Sequence, residues 1–264
     1  MSPDKPLTLI TGASAGIGAA LAHEFAKAGH ALVLTARRER ELETLASDVA
    51  AAGYARSIVI SADLSTADGV AKLAATMAER RLEPAYLVNN AGFGLMGDAA
   101  ELNRERQLAI IDVNTRALTD LTLRFLDSVK RQRGGILSVA SVAGFMPGPG
   151  MAVYHATKAY VLSFTEALHA ELAADGVRVC ALCPGPVETE FFGNAGVPEN
   201  YFPTSFARTA ERVAREGYEG FMAGHRVVVP GKPNRLVTLV PRLLPRGLIV
   251  GFMQRRRRTG ETGE

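Results

Sequence analysis

The sequence lacks the features of an exported or metal-binding protein. Residues 1–5 contain no signal-peptide apolar core, and the second residue is Ser2, where N-myristoylation requires glycine. The histidines show none of the spacings that zinc sites use, so we expect no metal site. They stand at His23, His30, His155, His169 and His225.

Cysteine is scarce, and its placement disfavours a disulfide. Cys180 and Cys183 form a C-x-x-C pair within the β-branched run 177–183. Three residues of extended chain span about 10 Å, whereas a disulfide tolerates a Cα separation of roughly 7 Å. We therefore expect two core thiols and a reducing, cytoplasmic setting.

Acidic residues are nearly absent from the C-terminal part of the chain. Residues 1–224 carry 21 Lys+Arg against 25 Asp+Glu, whereas residues 225–264 carry 9 against 2. The isoelectric point of about 9.0 is thus a property of the tail and not of a fold-wide basic face, which disfavours a nucleic-acid partner. The length of 264 residues fits one α/β domain.

A phosphate-binding pattern is present near the start of the chain. The apolar run 7–10 leads into the glycine-rich stretch 11–18, and helix-forming residues follow at 19–28. In such an arrangement, glycines let the backbone approach the ligand and the helix N-terminus offers free N–H groups. The alternative is an ordinary tight turn. The glycines of this stretch are Gly12, Gly16 and Gly18.

The second predicted strand, 31–36, ends without the acidic residue that usually binds the adenosine ribose. Arg37 and Arg38 follow instead, and a guanidinium at this point suits a 2′-phosphate. The pattern therefore favours NADP(H) over NAD(H), with Arg37 nearest the strand end. Alternatively, both arginines begin the charged helix 39–52.

Polar residues stand where later strands end, which is where open α/β sheets bind ligands. Asp63 follows the third strand and can bond an adenine amine. Asn89 and Asn90 follow the fourth, and we expect Asn89 to tie loops together and Asn90 to contact the cofactor. Ser141 follows the fifth. The predicted later strands are 56–61, 85–88, 135–140, 177–183 and 226–229, and the predicted helix caps are Ser65 or Thr66 and Thr209.

Two helices carry polar residues that suggest catalysis. Asn114 interrupts an apolar stripe in the predicted helix 103–130, so we expect it to bond backbone, water or a catalytic group. In the predicted helix 152–174, Tyr154 and Lys158 stand one turn apart. An ammonium about 4 Å from the phenol would stabilise the phenolate by roughly 4 kcal/mol and bring its pKa of about 10 towards 7. A Tyr-x-x-x-Lys spacing also occurs by chance.

In combination these motifs resemble the short-chain dehydrogenase/reductase family, NADP-preferring branch, over about residues 7–190 and the last strand. The resemblance implies a Rossmann-type, three-layer α/β/α fold with a mainly seven-stranded parallel sheet. Its parts are Thr11-Gly12-x-x-x-Gly16-x-Gly18, Asn89-Asn90-Ala91-Gly92, Asn114, Ser141, Tyr154-x-x-x-Lys158 and Pro184-Gly185.

The resemblance also implies roles. Tyr154 would exchange a proton with the substrate oxygen, and Lys158 would lower the pKa of the tyrosine while bonding the nicotinamide ribose. Ser141 would hold the substrate oxygen, and Asn114 would position a water that joins Lys158 to solvent. Arg37 would bind the 2′-phosphate. Gly12, Gly16, Ile17 and Gly18 would meet the pyrophosphate, and Ser14 would also contact the cofactor. The remaining implied cofactor contacts are Asp63 and Leu64 at the adenine, Asn90 at the adenosine ribose, and Pro184, Gly185, Val187 and Thr189 towards the nicotinamide.

We predict a catalytic domain over residues 1–231, with a substrate lid at about 186–208, and an apolar, basic extension over 232–264. Prolines and arginines within 236–253 argue against a membrane span. The favoured interpretation of the extension is short helices over the substrate mouth or a subunit face. An amphipathic anchor on anionic lipid and a nucleic-acid contact are the alternatives. The lid aromatics are Phe191, Phe192, Tyr201 and Phe202.

The expected function is NADP(H)-dependent hydride transfer between nicotinamide and a carbonyl or secondary alcohol. Apolar residues near the predicted cleft favour an apolar substrate that is steroid-, retinoid- or acyl-like. The alternative is a non-catalytic NADP-binding regulatory or membrane-surface module. Membership of the family would imply a homodimer or homotetramer. The apolar residues concerned are Phe93, Leu95, Met96, Phe145, Met146, Met151, Phe191 and Phe192.

Overall fold

The computed structural model describes residues 5–198, 201 and 206–262, without the side chains of residue 242 and residues 256–262. The predicted lid residue Phe202 therefore lies outside the described residues.

A parallel sheet of seven strands forms the centre of the molecule. Its order is β3-β2-β1-β4-β5-β6-β9, and every neighbouring pair is parallel. Its central strands are buried along their length, as expected of near-continuous apolar runs covered on both faces. The predicted fold is confirmed. The strands are β1 (Leu7–Thr11), β2 (Ala31–Thr35), β3 (Ile58–Val59), β4 (Tyr86–Asn89), β5 (Gly135–Val139), β6 (Arg178–Leu182) and β9 (Val227–Val228), with β7 (Val187–Glu188) and β8 (Arg208–Thr209) apart from this sheet.

Helices cover both faces of the sheet and give the molecule three layers. One apolar cluster packs Phe25 and Phe221 against one face, and a second packs Leu73 and Leu121 against the other. The helices are α1 (Gly16–Lys27), α2 (Glu39–Ala51), α3 (Ala67–Glu79), α4 (Arg104–Ile111), α5 (Leu118–Arg131), α6 (Ala152–Glu171), α7 (Glu190–Ala195), α8 (Ala210–Met222), α9 (Lys232–Leu243) and α10 (Arg246–Thr262).

Local sequence signals locate several helix ends correctly. The Thr66 hydroxyl accepts the backbone N–H of Gly69 at 3.0 Å, and the Thr209 hydroxyl accepts that of Arg212 at 3.4 Å. Each side chain thus satisfies a backbone donor that the first helical turn leaves free. The helix after the glycine loop begins at Gly16 and not at Ala19, so the loop is shorter than predicted.

Two features differ from the sequence-based expectation. The predicted long helix 103–130 contains a π-helical turn, Asp112–Ala117, between α4 and α5. In addition, β7 and β8 form a small parallel sheet that pairs Val187 with Arg208. Neither is visible in the periodicity, because a single wide turn and a two-residue strand are both too short to alter it.

Cys180 and Cys183 are both free and buried, as predicted. The tail forms the helices α9 and α10. In the part of the chain that the structure describes, none of the helices combines the length and the apolar content that crossing a bilayer requires.

Candidate active site

A large cavity of about 1270 Å³ opens at the carboxyl ends of the strands. Its volume exceeds the roughly 300–1,000 Å³ typical of a site for one small ligand. Of the predicted site residues, only Gly18 and Asn114 do not line it. Those that do are Gly12, Ser14, Gly16, Ile17, Arg37, Asp63, Leu64, Asn90, Ser141, Tyr154, Lys158, Pro184, Gly185, Val187 and Thr189.

The glycine loop leaves no room for side chains. Gly12 has φ +64°, in the left-handed region that favours glycine. A Cβ on Gly18 would lie 2.4 Å from both the Asn90 side-chain nitrogen and the Gly12 carbonyl oxygen. Gly18 itself does not line the cavity. Its lack of a side chain allows α1 to pack tightly against the glycine loop, which does line the cavity.

Asn90 holds the glycine loop in place. Its side-chain nitrogen donates to the carbonyl oxygens of Thr11 and Gly12, at 2.9 and 3.0 Å. The Thr11 hydroxyl in turn accepts the backbone N–H groups of Asn90 and Ala91, each at 3.0 Å. The predicted cofactor residue is thus also a structural tie between the ends of β1 and β4. Asn89, predicted to tie loops, donates to Thr122 at 2.9 Å.

The two arginines after β2 differ in their contacts. Arg38 donates to the Ser14 hydroxyl at 3.3 Å and pairs with Glu190 at 3.0 Å, so it bridges the glycine loop and α7. Arg37 faces Asp63. Burial alone would raise the pKa of Asp63, but hydrogen bonds from Ser65 and the charge of Arg37 lower it overall. A guanidinium and a carboxylate therefore adjoin the part of the cavity predicted to hold the adenosine.

Tyr154 and Ser141 meet at the deep end of the cavity. Burial raises the pKa of Tyr154 to about 12, and a hydrogen bond with the Ser141 side chain opposes this rise. The Ser141 oxygen also accepts the Ala143 backbone N–H at 3.1 Å and lies 3.4 Å from the Pro184 carbonyl. The two hydroxyls are thus held together by a backbone frame and point to a shared position for a substrate oxygen.

Lys158 is buried beneath Tyr154. Its Nζ donates to the Val139 carbonyl at 2.7 Å and lies 5.8 Å from the centre of the Tyr154 ring. Burial lowers the pKa of Lys158 to about 8, and the neighbouring Cys183 opposes the change. From the sequence alone, we expected Lys158 to bring the pKa of Tyr154 towards 7. That expectation is wrong for this structure, because it omitted the desolvation of both groups, which dominates their pKa values.

Asn114 points into the core from the π-helical turn. Its side chain accepts the backbone N–H of Phe93 at 3.1 Å and donates to the Phe93 carbonyl and the Thr157 hydroxyl, each at 3.0 Å. A Cβ on Gly92 would lie 3.0 Å from the Asn114 oxygen and 3.5 Å from Lys158 Nζ. Asn114 therefore fixes the loop after β4, and Gly92 keeps open the space between its amide and the lysine.

The other wall of the cavity is apolar and includes the tail. The Phe191 ring lies 5.3 Å from the Tyr154 ring, and Met151 packs in the same cluster. Sequence analysis did not identify the contributions of Val237 and Ile249, which come from α9 and α10. Apolar residues at i, i+3 and i+4 spacing in the tail would have signalled a helical face. This spacing would not have shown that the tail helices pack against the cavity.

His155 also lines the cavity. It follows Tyr154 in α6, and its Nδ1 lies 2.8 Å from the Met146 carbonyl. Burial lowers the pKa of His155, with hydrogen bonds to the Met146 and Ala143 backbone opposing the change. Among the described residues, no three His, Cys, Asp or Glu side chains cluster as metal ligands would.

Comparison with known proteins gives consistent results. The sequence model of the short chain dehydrogenase family matches residues 6–199. A sulfoacetaldehyde reductase from Chromohalobacter salexigens is 36% identical over 215 residues, which cover 78% of this chain and 84% of that protein. The chain thus shares most of its length with a curated reductase.

Solved structures resemble the chain over nearly its whole length. A short-chain dehydrogenase from Sphingobium yanoikuyae, in complex with NADPH, is 33% identical with a TM-score of 0.80, covering 94% of this chain and 95% of that one. A bulky-bulky ketone specific alcohol dehydrogenase from Comamonas testosteroni is 30% identical with a TM-score of 0.74, covering 98% and 94%. Among the similar solved structures, some hold NADPH and others NAD.

Proposed function

The chain belongs to the short-chain dehydrogenase family and is an oxidoreductase acting on alcohol and carbonyl groups, and we propose that it uses NADP(H) to reduce bulky, apolar ketones. The observation that carries the proposal is the cavity. One end is lined by the glycine loop and Arg37, the deep end by Ser141 and Tyr154, and the far wall by apolar side chains.

Tyr154 acts in this proposal as the proton donor to the carbonyl oxygen. A raised pKa keeps its hydroxyl protonated at neutral pH, as ketone reduction requires. Ser141 shares the hydrogen bond and orients the same oxygen. Lys158, held by the Val139 carbonyl, supplies a positive charge that stabilises the phenolate left after the transfer. Asn114 supports this arrangement by fixing the loop next to the lysine.

The residues present fit a dinucleotide. The cavity of about 1270 Å³ has room for a cofactor and a substrate together, and the tight glycine loop exposes backbone to it. When bound, the nicotinamide supplies or accepts a hydride. Arg37 would hold the 2′-phosphate, and Asp63 with Leu64 would meet the adenine. Asn90 would meet the adenosine ribose, and Pro184, Gly185, Val187 and Thr189 would line the nicotinamide end.

The preference for NADP(H) rests on charge at the end of β2. Arg37 and Arg38 are both exposed there, and no acidic residue follows the strand directly. A carboxylate would repel a 2′-phosphate, whereas a guanidinium binds it with charge-assisted hydrogen bonds. The NADPH bound to the Sphingobium yanoikuyae relative is consistent with this choice.

The preference for a bulky substrate rests on the apolar wall. Phe191, Phe192 and Met151 stand beside Tyr154, and the tail helices extend the same wall. A small charged substrate would leave this surface without a partner. The likeness to the ketone-specific enzyme from Comamonas testosteroni is consistent with a large ketone.

A homo-oligomer is also part of the proposal. Four exposed apolar side chains lie on α4, α5 and α6, and they offer a surface that a second copy would cover. They are Leu108, Ile111, Leu123 and Tyr160, with exposed fractions of 44, 42, 58 and 42%. We further propose that residues 1–231 act as the catalytic unit and that residues 232–264 form an extension to it. The cytoplasmic setting remains a prediction from the sequence.

A turnover assay distinguishes the proposed enzyme from a non-catalytic nucleotide-binding module. The purified chain should oxidise NADPH in the presence of bulky aryl or cyclic ketones, with loss of nicotinamide absorbance, and should do so less efficiently with NADH. Small charged aldehydes should be poorer substrates. Tight NADPH binding without turnover on any ketone or aldehyde of the panel would contradict the proposed function and favour the module.

A further inference from the structure

The helix α9 packs in the reverse of the usual sense. Its polar residues Asn234 and Thr238 are buried, with exposed fractions of 2 and 7%, while Leu236 and Leu243 are exposed by 66 and 81%. Soluble helices normally bury their apolar face. The inward side is held by polar contacts. The Asn234 side-chain nitrogen donates to the Pro230 carbonyl at 3.0 Å. Asn234 also packs closely on Gly185, since a Cβ on that glycine would lie 2.3 Å from the Asn234 side-chain oxygen. The helix is therefore anchored by polar groups with its leucines facing outwards.

The exposed apolar surface continues around the mouth of the cavity. Val240, Leu244, Leu248 and Phe252 are exposed by 40, 47, 63 and 65%, and all four also line the cavity. An apolar rim of this kind is uncommon on a monomeric soluble protein and marks a site of interaction. Whatever covers this rim therefore also meets molecules entering the site.

The charge of the same segment selects among possible partners. Residues 232–258 contain eight Lys or Arg and no Asp or Glu. Cations next to an outward apolar face are typical of helices that lie in the surface of an anionic bilayer. A two-fold contact between copies through this face would bring like charges together, because such an interface joins the same patch to itself.

We propose that the outward face of α9 and α10, formed by Leu236, Leu239, Val240, Leu243, Leu244, Leu248 and Phe252, docks onto an anionic lipid surface, and that apolar substrates enter the cavity from that lipid. The contact is peripheral, because none of the helices in the described part of the chain is long and apolar enough to cross a bilayer. The route of entry, but not the docking itself, rests on the proposed reduction of apolar ketones.

Vesicle binding by the full chain tests the docking. The chain should sediment with phosphatidylcholine vesicles that contain phosphatidylserine, less with phosphatidylcholine alone, and less as salt rises. The double variant Leu236→Gln/Leu243→Gln should bind the anionic vesicles at least about tenfold more weakly, because two leucines no longer leave water. Neither position lines the cavity.

The matched control is Leu236→Met/Leu243→Met. Methionine has the shape of glutamine but is apolar and forms helices well, so this variant should keep its affinity for vesicles. Equal sedimentation of the Gln and Met variants would overturn the proposal, as would failure of the native chain to bind anionic vesicles. A third outcome would assign the face to a second copy of the chain instead. In that case the native chain would not bind vesicles but would form a dimer in sedimentation velocity, and the Gln variant would not form that dimer.

A kinetic comparison tests the route of entry. With a long-chain alkyl ketone carried in anionic vesicles, kcat/KM of the Gln variant should fall at least about tenfold, in step with vesicle affinity. With acetophenone in buffer it should match that of the native chain. Equal rates on the vesicle-borne ketone would overturn the route. Sedimentation needs no turnover, so vesicle binding by an inactive chain would remove the proposed function and leave the docking intact.

Discussion

The nucleotide side of the cavity and its tail side, which is formed by α7, α9 and α10, are built on different principles. On the nucleotide side, backbone and side chains approach so closely that a Cβ on Gly18 would lie 2.4 Å from two neighbours. On the tail side, Cβ atoms on Gly193 and Gly247 would meet nothing within 4 Å, and leucines face outwards. One side holds a fixed shape through hydrogen bonds, whereas the other offers apolar surface with room to vary.

This difference predicts which substitutions each side should tolerate. A ligand that must be oriented for hydride transfer needs a rigid frame, because small displacements of reacting atoms are costly. A bulky apolar substrate needs surface area more than fixed contacts. We therefore expect changes on the nucleotide side and at the deep end to be severe, and comparable changes on the tail side to be mild.

Tyr154→Phe should have the largest effect. It removes the proposed proton donor and leaves the ring that packs against Phe191, so kcat should fall by about a thousandfold while the Kd for NADPH stays within about threefold. Steady-state kinetics and cofactor titration measure the two quantities. Retention of a tenth of the native kcat would remove Tyr154 from its proposed role.

Gly18→Ala and Gly193→Ala compare the two sides directly. The first introduces a methyl group where the Gly12 carbonyl and Asn90 already stand, so the Kd for NADPH should rise by about a hundredfold. The second adds the same methyl to open space in α7 and should stabilise the helix by about 0.5–1 kcal/mol. Cofactor titration and thermal unfolding report these effects. Similar affinities of both variants would show that the sides do not differ as described.

Arg37→Ala should weaken NADPH binding by about thirtyfold and NADH binding little, because a charge-assisted contact contributes about 2 kcal/mol. Arg40→Ala removes an equally exposed charge from α2 at a position that does not line the cavity, and it should change neither affinity appreciably. Titration of all three proteins with both cofactors is the measurement. Equal weakening of NADPH and NADH by Arg37→Ala would place the phosphate site elsewhere, with Arg38 the next candidate.

Acidification should produce the smallest effect. It should lower the stability of the fold through a buried histidine in the core beneath the nucleotide side. Burial lowers the pKa of His30 from 6.5 to about 4, and its Nδ1 lies 2.7 Å from the Thr8 hydroxyl. Between these values the unfolded chain binds a proton that the folded chain does not, so stability falls as pH falls. From pH 6.5 to about 5.5 the loss should be about 1 kcal/mol.

Denaturant unfolding across this pH range measures the loss. His30→Asn should flatten the dependence on pH, because it removes the imidazole whose pKa burial lowers. An unaltered slope in His30→Asn would assign the acid sensitivity to other groups.

The same contrast decides what could be predicted from the sequence. The glycine loop and the strand ends were readable, because residues such as Gly12 and Thr66 act through local backbone geometry. The seven-stranded sheet followed from a resemblance to a known family. The position of a residue can be predicted from the local sequence when the residue is held by backbone that is near to it in the chain.

What could not be predicted depends on distant contacts. The π-helical turn turns Asn114 towards Phe93, 21 residues earlier, and no local pattern encodes that meeting. The outward leucines of α9 follow from the docking of Asn234 near Gly185, which reverses the face that hydropathy would bury. The pKa of Tyr154 depends on desolvation by the whole fold and so was misjudged from its neighbour Lys158 alone.

Isotope transfer tests the central claim most directly. A bulky ketone is incubated with the chain and with NADPH that carries deuterium at the transferable position of the nicotinamide, and the product alcohol is analysed by mass spectrometry and NMR. We expect one deuterium at the carbinol carbon with the native chain and almost none in the same time with Tyr154→Phe. Tight binding of the labelled cofactor by the native chain, without transfer of deuterium to any ketone, would contradict the claim.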